Sequence, residues 1–174
     1  MTRNMKKIFL MACLAACILP LHAQKQKLSK EEKAAAAQAA YEAALASINA
    51  KTFVLVPESY EKPDGTLENN IDDAVFLSVE GTRMFAQGAA VCDNSYNNTG
   101  EATSYDVKVD KKGNVKAVIV VSGRMWHGTY RISMRKGNNY ADVIFDPQGS
   151  TARKFSGPVV PLAGAKYNKR ANPM

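Results

Sequence analysis

Cysteine and histidine are almost missing from the part of this chain that folds. Of three cysteines, Cys13 and Cys17 lie in an apolar run at the front, leaving Cys92; of two histidines, His22 ends that run, leaving His127. A single cysteine forms no intrachain disulfide, and a structural zinc site needs about four Cys or His ligands. Any Ser-His-Asp or Cys-His arrangement would have to use His127. That residue stands in Met125-Trp126-His127-Gly128, opening a strand-like run, where a partly buried imidazole with a backbone partner is expected. Cys92, in Ala89-Ala90-Val91-Cys92, reads as a small buried apolar residue. Glycines 81, 88, 100 and 113 are scattered and form no phosphate loop. The sequence therefore implies no catalytic residue, no metal set and no cofactor.

A long hydrophobic run is also missing. Arg3, Lys6 and Lys7 lead into apolar residues 8–21, too short for the ~20 residues of a membrane-spanning helix, so the front reads as a secretory signal. Two cleavage chemistries fit it. Signal peptidase would cut between Ala23 and Gln24; alternatively, Leu14-Ala15-Ala16-Cys17 matches a lipobox, in which Cys17 is lipidated and becomes the N-terminus. The first removes the whole apolar run, whereas the second leaves Ile18-Leu19-Pro20-Leu21 exposed, so a signal peptide over 1–23 is the expectation. The mature chain would have no transmembrane helix and would reside in the periplasm or cell envelope. Its formal charge falls from +7 to +4, because three cations and no acid are removed. Lys166, Lys169 and Arg170 leave a body near neutrality, without the clustered basic face of a nucleic-acid binder.

What is present is one helix and then many strands. Ser29-Lys30-Glu31-Glu32 is a capping box. The alanine-rich run behind it carries Tyr41, Leu45 and Ile48 at i, i+4, i+7, extended by Ala34 and Ala37. From Lys51 onward the period is two. Turn residues register three hairpins: Glu80 opposite Arg83, Val79 opposite Met84 and Leu77 opposite Ala86; Val109 opposite Val115, Val107 opposite Ala117 and Tyr105 opposite Ile119; Met134 opposite Ala141, Ile132 opposite Val143 and Tyr130 opposite Phe145. Val118 and Val120 make the second face of strand 115–121 apolar, which predicts a central strand covered on both sides. The stretch YEKPDGTLENNIDD reads as a turn-rich excursion, TARKFSG as a last short strand, and 166–174 as a basic flexible tail. The expected architecture over 24–165 is a single α+β domain: an N-terminal helix packed on a curved antiparallel meander, or half-barrel, of seven to eight strands.

The succession of the alanine-rich helix, FVLVPES, VFLSVEGTRMFAQGAA, SYDVKVDKKGNVKAVIVV and YRISMRKGNNYADVIFDPQGSTARKFSGPVVPL resembles a family of small exported Bacteroidetes proteins classed as a domain of unknown function. The resemblance spans residues 30–162. Where that family tends to carry a Leu-Pro-Tyr-Phe-Gly-like patch, this chain reads Phe85-Ala86-Gln87-Gly88-Ala89-Ala90, keeping glycine and losing the proline and aromatic pair. The resemblance implies export, in soluble or lipidated form, and no activity or site residue.

Among carboxylates, adjacent Asp72 and Asp73 point to opposite faces in extended chain. Asp142 falls opposite Ser133 and diagonal to Arg131 and Arg135, implying surface ion pairing, and Asp106 and Asp110 share a solvated face with Lys108. The loop CDNSYNNTGEATS offers Asn94 and Tyr96 as binding candidates, beside Trp126 and His127. The functional expectation is an exported, non-enzymatic binding or interaction module of the cell envelope, its partner an envelope protein, peptide, glycan or small apolar ligand. A structural lipoprotein anchored through Cys17 and a carboxylate-dependent hydrolase are the alternatives; the first requires neither pocket nor apolar patch, the second a cleft with two acids about 5 to 10 Å apart.

Overall fold

The structure, a computed structural model, describes residues 29–70 and 72–171. Ala23, Gln24 and Cys17, the cleavage and lipidation residues, lie outside the described residues.

Helix α1 (Lys30–Asn49) begins at the capping box: Ser29 Oγ accepts from the Glu32 N–H at 3.2 Å, and Glu32 Oε2 accepts from the Ser29 N–H at 2.7 Å. Its buried residues are Tyr41, Ala44, Ser47 and Ile48. Leu45 is half-buried and Ala34 exposed, so the buried stripe is rotated from the expected one and confined to the C-terminal half.

The strands are β1 (Thr52–Leu55), β2 (Ser59–Glu61), β3 (Leu67–Asn69), β4 (Phe76–Glu80), β5 (Arg83–Gln87), β6 (Asn97–Val109), β7 (Val115–Gly123), β8 (His127–Met134), β9 (Tyr140–Pro147) and β10 (Arg153–Pro161), with a four-residue helix α2 (Ala89–Cys92) after β5. All pair antiparallel. The order is β1-β4-β5-β6-β7-β8-β9-β10, and β10 pairs back onto β1. The α+β class stands, and the curved sheet goes further than a half-barrel: eight strands close on themselves. Two more strands, β2 and β3, come from the stretch read as an excursion and hang as a hairpin on β10.

The three hairpin registers are those expected from the turns. They direct Val115, Ala117, Ile119 and Val121 inward from β7, with Tyr130, Ile132 and Met134 from β8 and Val143 and Phe145 from β9, into one cluster with Phe53, Leu55, Leu77 and Met84. Eight strands leave an interior about as wide as the side chains that fill it. Tyr41, Ala44 and Ile48 of α1 belong to the same cluster. The Tyr41 hydroxyl donates to the Gly113 carbonyl in the β6–β7 turn (2.6 Å) and the Tyr105 hydroxyl donates to the Ile48 carbonyl (2.6 Å), so α1 closes one mouth of the barrel. Because the helix plugs a mouth, no element among the described residues covers the outer wall of β7. Val118 is 37% exposed there, against the expectation of a strand covered on both faces.

β10 runs through Pro158 where a short strand was expected, changing partners on the way: Phe155 and Ser156 face β2, while residues 159–161 face β1. Gly157 sits at the handover, where a Cβ would lie 2.4 Å from the Val56 carbonyl oxygen. Only glycine lets the two backbones approach that closely.

The tail expected to be flexible is docked over residues 165–170. Outside the barrel, Val54, Phe76 and Phe85 form a second small core, covered by Leu162, Ala165 and Tyr167. The Tyr167 ring lies 4.6 Å from that of Phe76, and Lys169 Nζ lies over Phe85 and 2.9 Å from Glu80 Oε1. Buried Gln87 holds the main chain, donating to the Asn168 carbonyl (3.1 Å) and accepting from the Arg170 N–H (3.0 Å); Asn97 Nδ2 donates to the Arg170 carbonyl at 2.7 Å.

Candidate functional site

Three surface regions bring chemistry together. The first is a groove on the outer wall. Where β10 hands over from β2 to β1 at Gly157, the β2–β3 hairpin borders a trough of about 260 Å³ over β9 and β10. Leu67 (75% exposed) and Ile144 (39% exposed) supply apolar surface, and Tyr60, Asp142, Lys154 and Ser156 line the sides. The polar groups are held by one another. Ser156 Oγ donates to Asp142 Oδ1 at 2.8 Å, and Lys154 Nζ pairs with Glu61 Oε1 at 2.9 Å. Tyr60 donates to Glu68 at 2.7 Å; that bond and the one from Lys62 hold the Glu68 carboxyl below the usual range, and the bond to Glu68 raises the Tyr60 phenol. Asp142 was expected to pair with Arg131 or Arg135; Ser156 takes it because β10 lies beside β9, and Arg131 pairs with Asp146.

The second region is the rim of the mouth plugged by α1. Lys108 and Lys116 face each other directly across β6 and β7, and Lys116 faces Ser133 on β8. The Lys136 N–H donates to Asn114 Oδ1, drawing the β8–β9 turn against the β6–β7 turn. A hollow of about 330 Å³ opens beside Lys116, Met134, Arg135 and Asp142. The sequence revealed no basic face because these cations come from two turns over twenty residues apart; the ladder alone joins them.

The third region, the opposite mouth, holds most of the sequence-predicted candidates. Asn94, Trp126 and His127 line a hollow of about 90 Å³, and Tyr96, half exposed, lies outside it. Trp126 is core rather than surface: it is 2% exposed, its Nε1 donates to the Tyr130 hydroxyl at 3.0 Å, and its ring meets Tyr130 edge-on. His127 is exposed rather than partly buried, its Nδ1 3.3 Å from the Gly123 carbonyl oxygen. Asn94 accepts from the Tyr96 N–H and Asn98 Nδ2. The expected polar loop is only residues 93–96. From Asn97 the chain is strand, with Asn97 and Asn98 buried, because β6 must reach back to pair with β5.

Cys92 is buried, as its sequence context implies, and desolvation pushes its thiol up to about 12, against hydrogen bonds from Asn94 and Asn98 that lower it. Such a thiol is neutral at ordinary pH and a poor nucleophile. Arg153 closes this mouth through an ion pair with Asp93. Asp72 caps the Ala74 N–H and Asp110 the β6–β7 turn, so both serve turns. Among the described residues no three His, Cys, Asp or Glu groups converge to hold a metal ion, and no helix is long and apolar enough to cross a membrane.

No family model and no curated protein matches the chain. Its fold is similar to the crystal structure of a DUF4251 family protein from Bacteroides eggerthii, with a TM-score of 0.65 and 19% identity, over 77% of this chain and 99% of that one. The fold is thus similar to that of a Bacteroides protein of a family of unknown function, as the sequence resemblance implied, and at 19% identity that likeness is one of fold.

Proposed function

We propose that the chain is an exported, non-enzymatic binding module of the bacterial cell envelope, and that its contact face is the trough beneath the β2–β3 hairpin. The observation that carries this reading is exposed apolar surface, Leu67 of the hairpin and Ile144 of the wall, lining a trough of about 260 Å³ with a hydrogen-bonding rim. Apolar surface framed by polar groups is the usual composition of a contact site. The barrel interior is filled by its own side chains, so the wall rather than the lumen is where a partner fits. Two carboxylates, Glu61 and Asp142, border the trough, but Lys154 and Ser156 already engage them, which disfavours the hydrolase reading.

The test is photo-crosslinking in the native host. A photoreactive residue at Leu67 is expected to capture a discrete partner, and the same residue at exposed Ala43 on α1 is not; equal capture at both sites would refute the assignment of the face. Intact mass of the exported form gives the start of the mature chain, Gln24 for the soluble form or lipidated Cys17 for the anchored alternative.

A further inference from the structure

The barrel is closed, yet one of its strands is only half paired. β5 meets β6 from Asn97 to Glu101, and the Ala102 N–H donates to the Thr82 carbonyl at 2.8 Å; beyond that β6 runs on to Val109 with β7 as its one strand partner. A bulge between Ala102 and Ser104 marks the departure, where the β6–β7 hairpin rises past the β4–β5 turn. The Asp110 N–H donates to the Asn114 carbonyl, which fixes the phase of the ladder. Lys108 and Asp106 therefore direct their main-chain groups to β7, and Tyr105, Val107 and Val109 direct theirs away from it. Among the described residues these three N–H and three C=O groups have no hydrogen-bond partner. Val109 is 49% exposed beside them.

An unpaired edge of this length is a template for another strand, and its side chains define which one. Side chains alternate along the edge: Tyr105, Val107 and Val109 face the helix side, and Asp106 and Lys108 face outward, 3.1 Å apart. We propose that two copies of the chain pair antiparallel along this edge, Val107 opposite Val107 of the second copy. That register sets Tyr105 opposite the second copy's Val109, so the three residues with free main-chain groups on each copy meet in three hydrogen-bonded pairs, about six bonds in all. It also sets Asp106 opposite the second copy's Lys108, and Lys108 opposite the second copy's Asp106. Two opposite-charge pairs form at the closely spaced positions of the ladder. The arrangement is isologous, so one two-fold axis satisfies every contact at once.

A further feature of the chain points the same way. Lys108 lies directly opposite Lys116, a like-charge cross-strand pair that destabilises a lone hairpin. Within one chain Lys108 Nζ already pairs with Asp106 Oδ2 at 3.1 Å, and in the dimer the second copy's Asp106 adds a carboxylate on the other side of Lys108 that further offsets that repulsion. An unrelated strand would satisfy the main-chain groups, but only a segment of this alternating charge reproduces both pairs.

The mature chain is tested by sedimentation equilibrium over a wide concentration range, with amide hydrogen exchange. A concentration-dependent dimer is expected, with exchange at Tyr105, Val107 and Val109 slowing as it forms. Asp106→Lys puts Lys opposite Lys and should weaken dimerisation about tenfold or more. The double variant D106K/K108D exchanges the charges and should restore it to within a few-fold of wild type. Val107→Pro removes a donor that no intrachain acceptor uses, which edge strands tolerate, and should leave a folded monomer; if it unfolds, the charge pair of variants still decides. A wild-type chain that stays monomeric up to about millimolar concentration, where even weak association shows, would overturn the inference. So would a D106K dimer as tight as wild type, or a double variant as weak as D106K.

Discussion

Tyr130 joins β8 to α2 through a fully buried hydroxyl, and removing that one oxygen has a calculable cost. The side chain is 0% exposed, its ring stacks on Phe145 with centroids 4.3 Å apart, and its hydroxyl donates to the Val91 carbonyl at 2.6 Å while accepting from Trp126 Nε1 at 3.0 Å. Tyr130→Phe keeps the ring and its packing. It leaves one buried acceptor and one buried donor unpartnered, at about 1–3 kcal/mol each, so a loss of about 2–6 kcal/mol is expected. Tyr105→Phe is the control: its hydroxyl makes a single bond, to the Ile48 carbonyl, in a half-buried place where water can substitute, and its loss should cost about 1 kcal/mol. Equilibrium urea unfolding with unchanged m-values measures both. The expected coupling of Y130F with Trp126→Phe, in a double-mutant cycle, is about 1 kcal/mol. If Y130F costs no more than Y105F, the hydroxyl is not the tie between α2 and the β8 wall, and the reasoning fails.

Three further outcomes follow from the same geometry. With its thiol raised to about 12 by burial, Cys92 should resist alkylation at pH 8 in the folded chain and react only through unfolding, so its labelling rate should track denaturant; reaction at the rate of a free thiol would contradict this. Hydrogen bonds from Asn114, then from the Asn114 and Lys112 main chain, lower the folded pKa of Asp110. Its stabilisation is then full above its unfolded value of about 3.9 and fades as pH falls through the lower folded value. Asp110→Asn should therefore lower Tm at pH 7, with the gap closing as pH falls below the folded value of Asp110, and a gap constant with pH would count against it. Tyr167→Ala should release the tail from Phe76, bringing the Asn168 and Arg170 amides to unprotected exchange while barrel amides keep their protection; joint loss at both would show that the strap and barrel are one cooperative unit.

The sequence alone determined what local chemistry decides. Ser29 and Glu32 made the helix start, and the residues at positions 81–82, 111–113 and 137–138 set three hairpin registers whose period-two alternation sorted inner from outer side chains. Each depends on neighbours within a few residues, so each was legible. The candidate sites were less so. Asn94, Trp126 and His127 do meet at one mouth, but the sequence could not show that Trp126 is buried among the rings of Tyr130 and Phe145. Only the tertiary structure decided the rest. Closure rests on β1 pairing with β10, Phe53 with Pro161, strands about a hundred residues apart whose meeting depends on the summed twist and tilt of every strand between. The same long-range contacts turned a polar basic tail into a strap, because Gln87 and Asn97 reach its main chain, which carries no signature in residue type. They also left β6 rising past β5, with three residues' hydrogen-bonding groups unpaired at an edge that the hairpin pattern alone could not reveal.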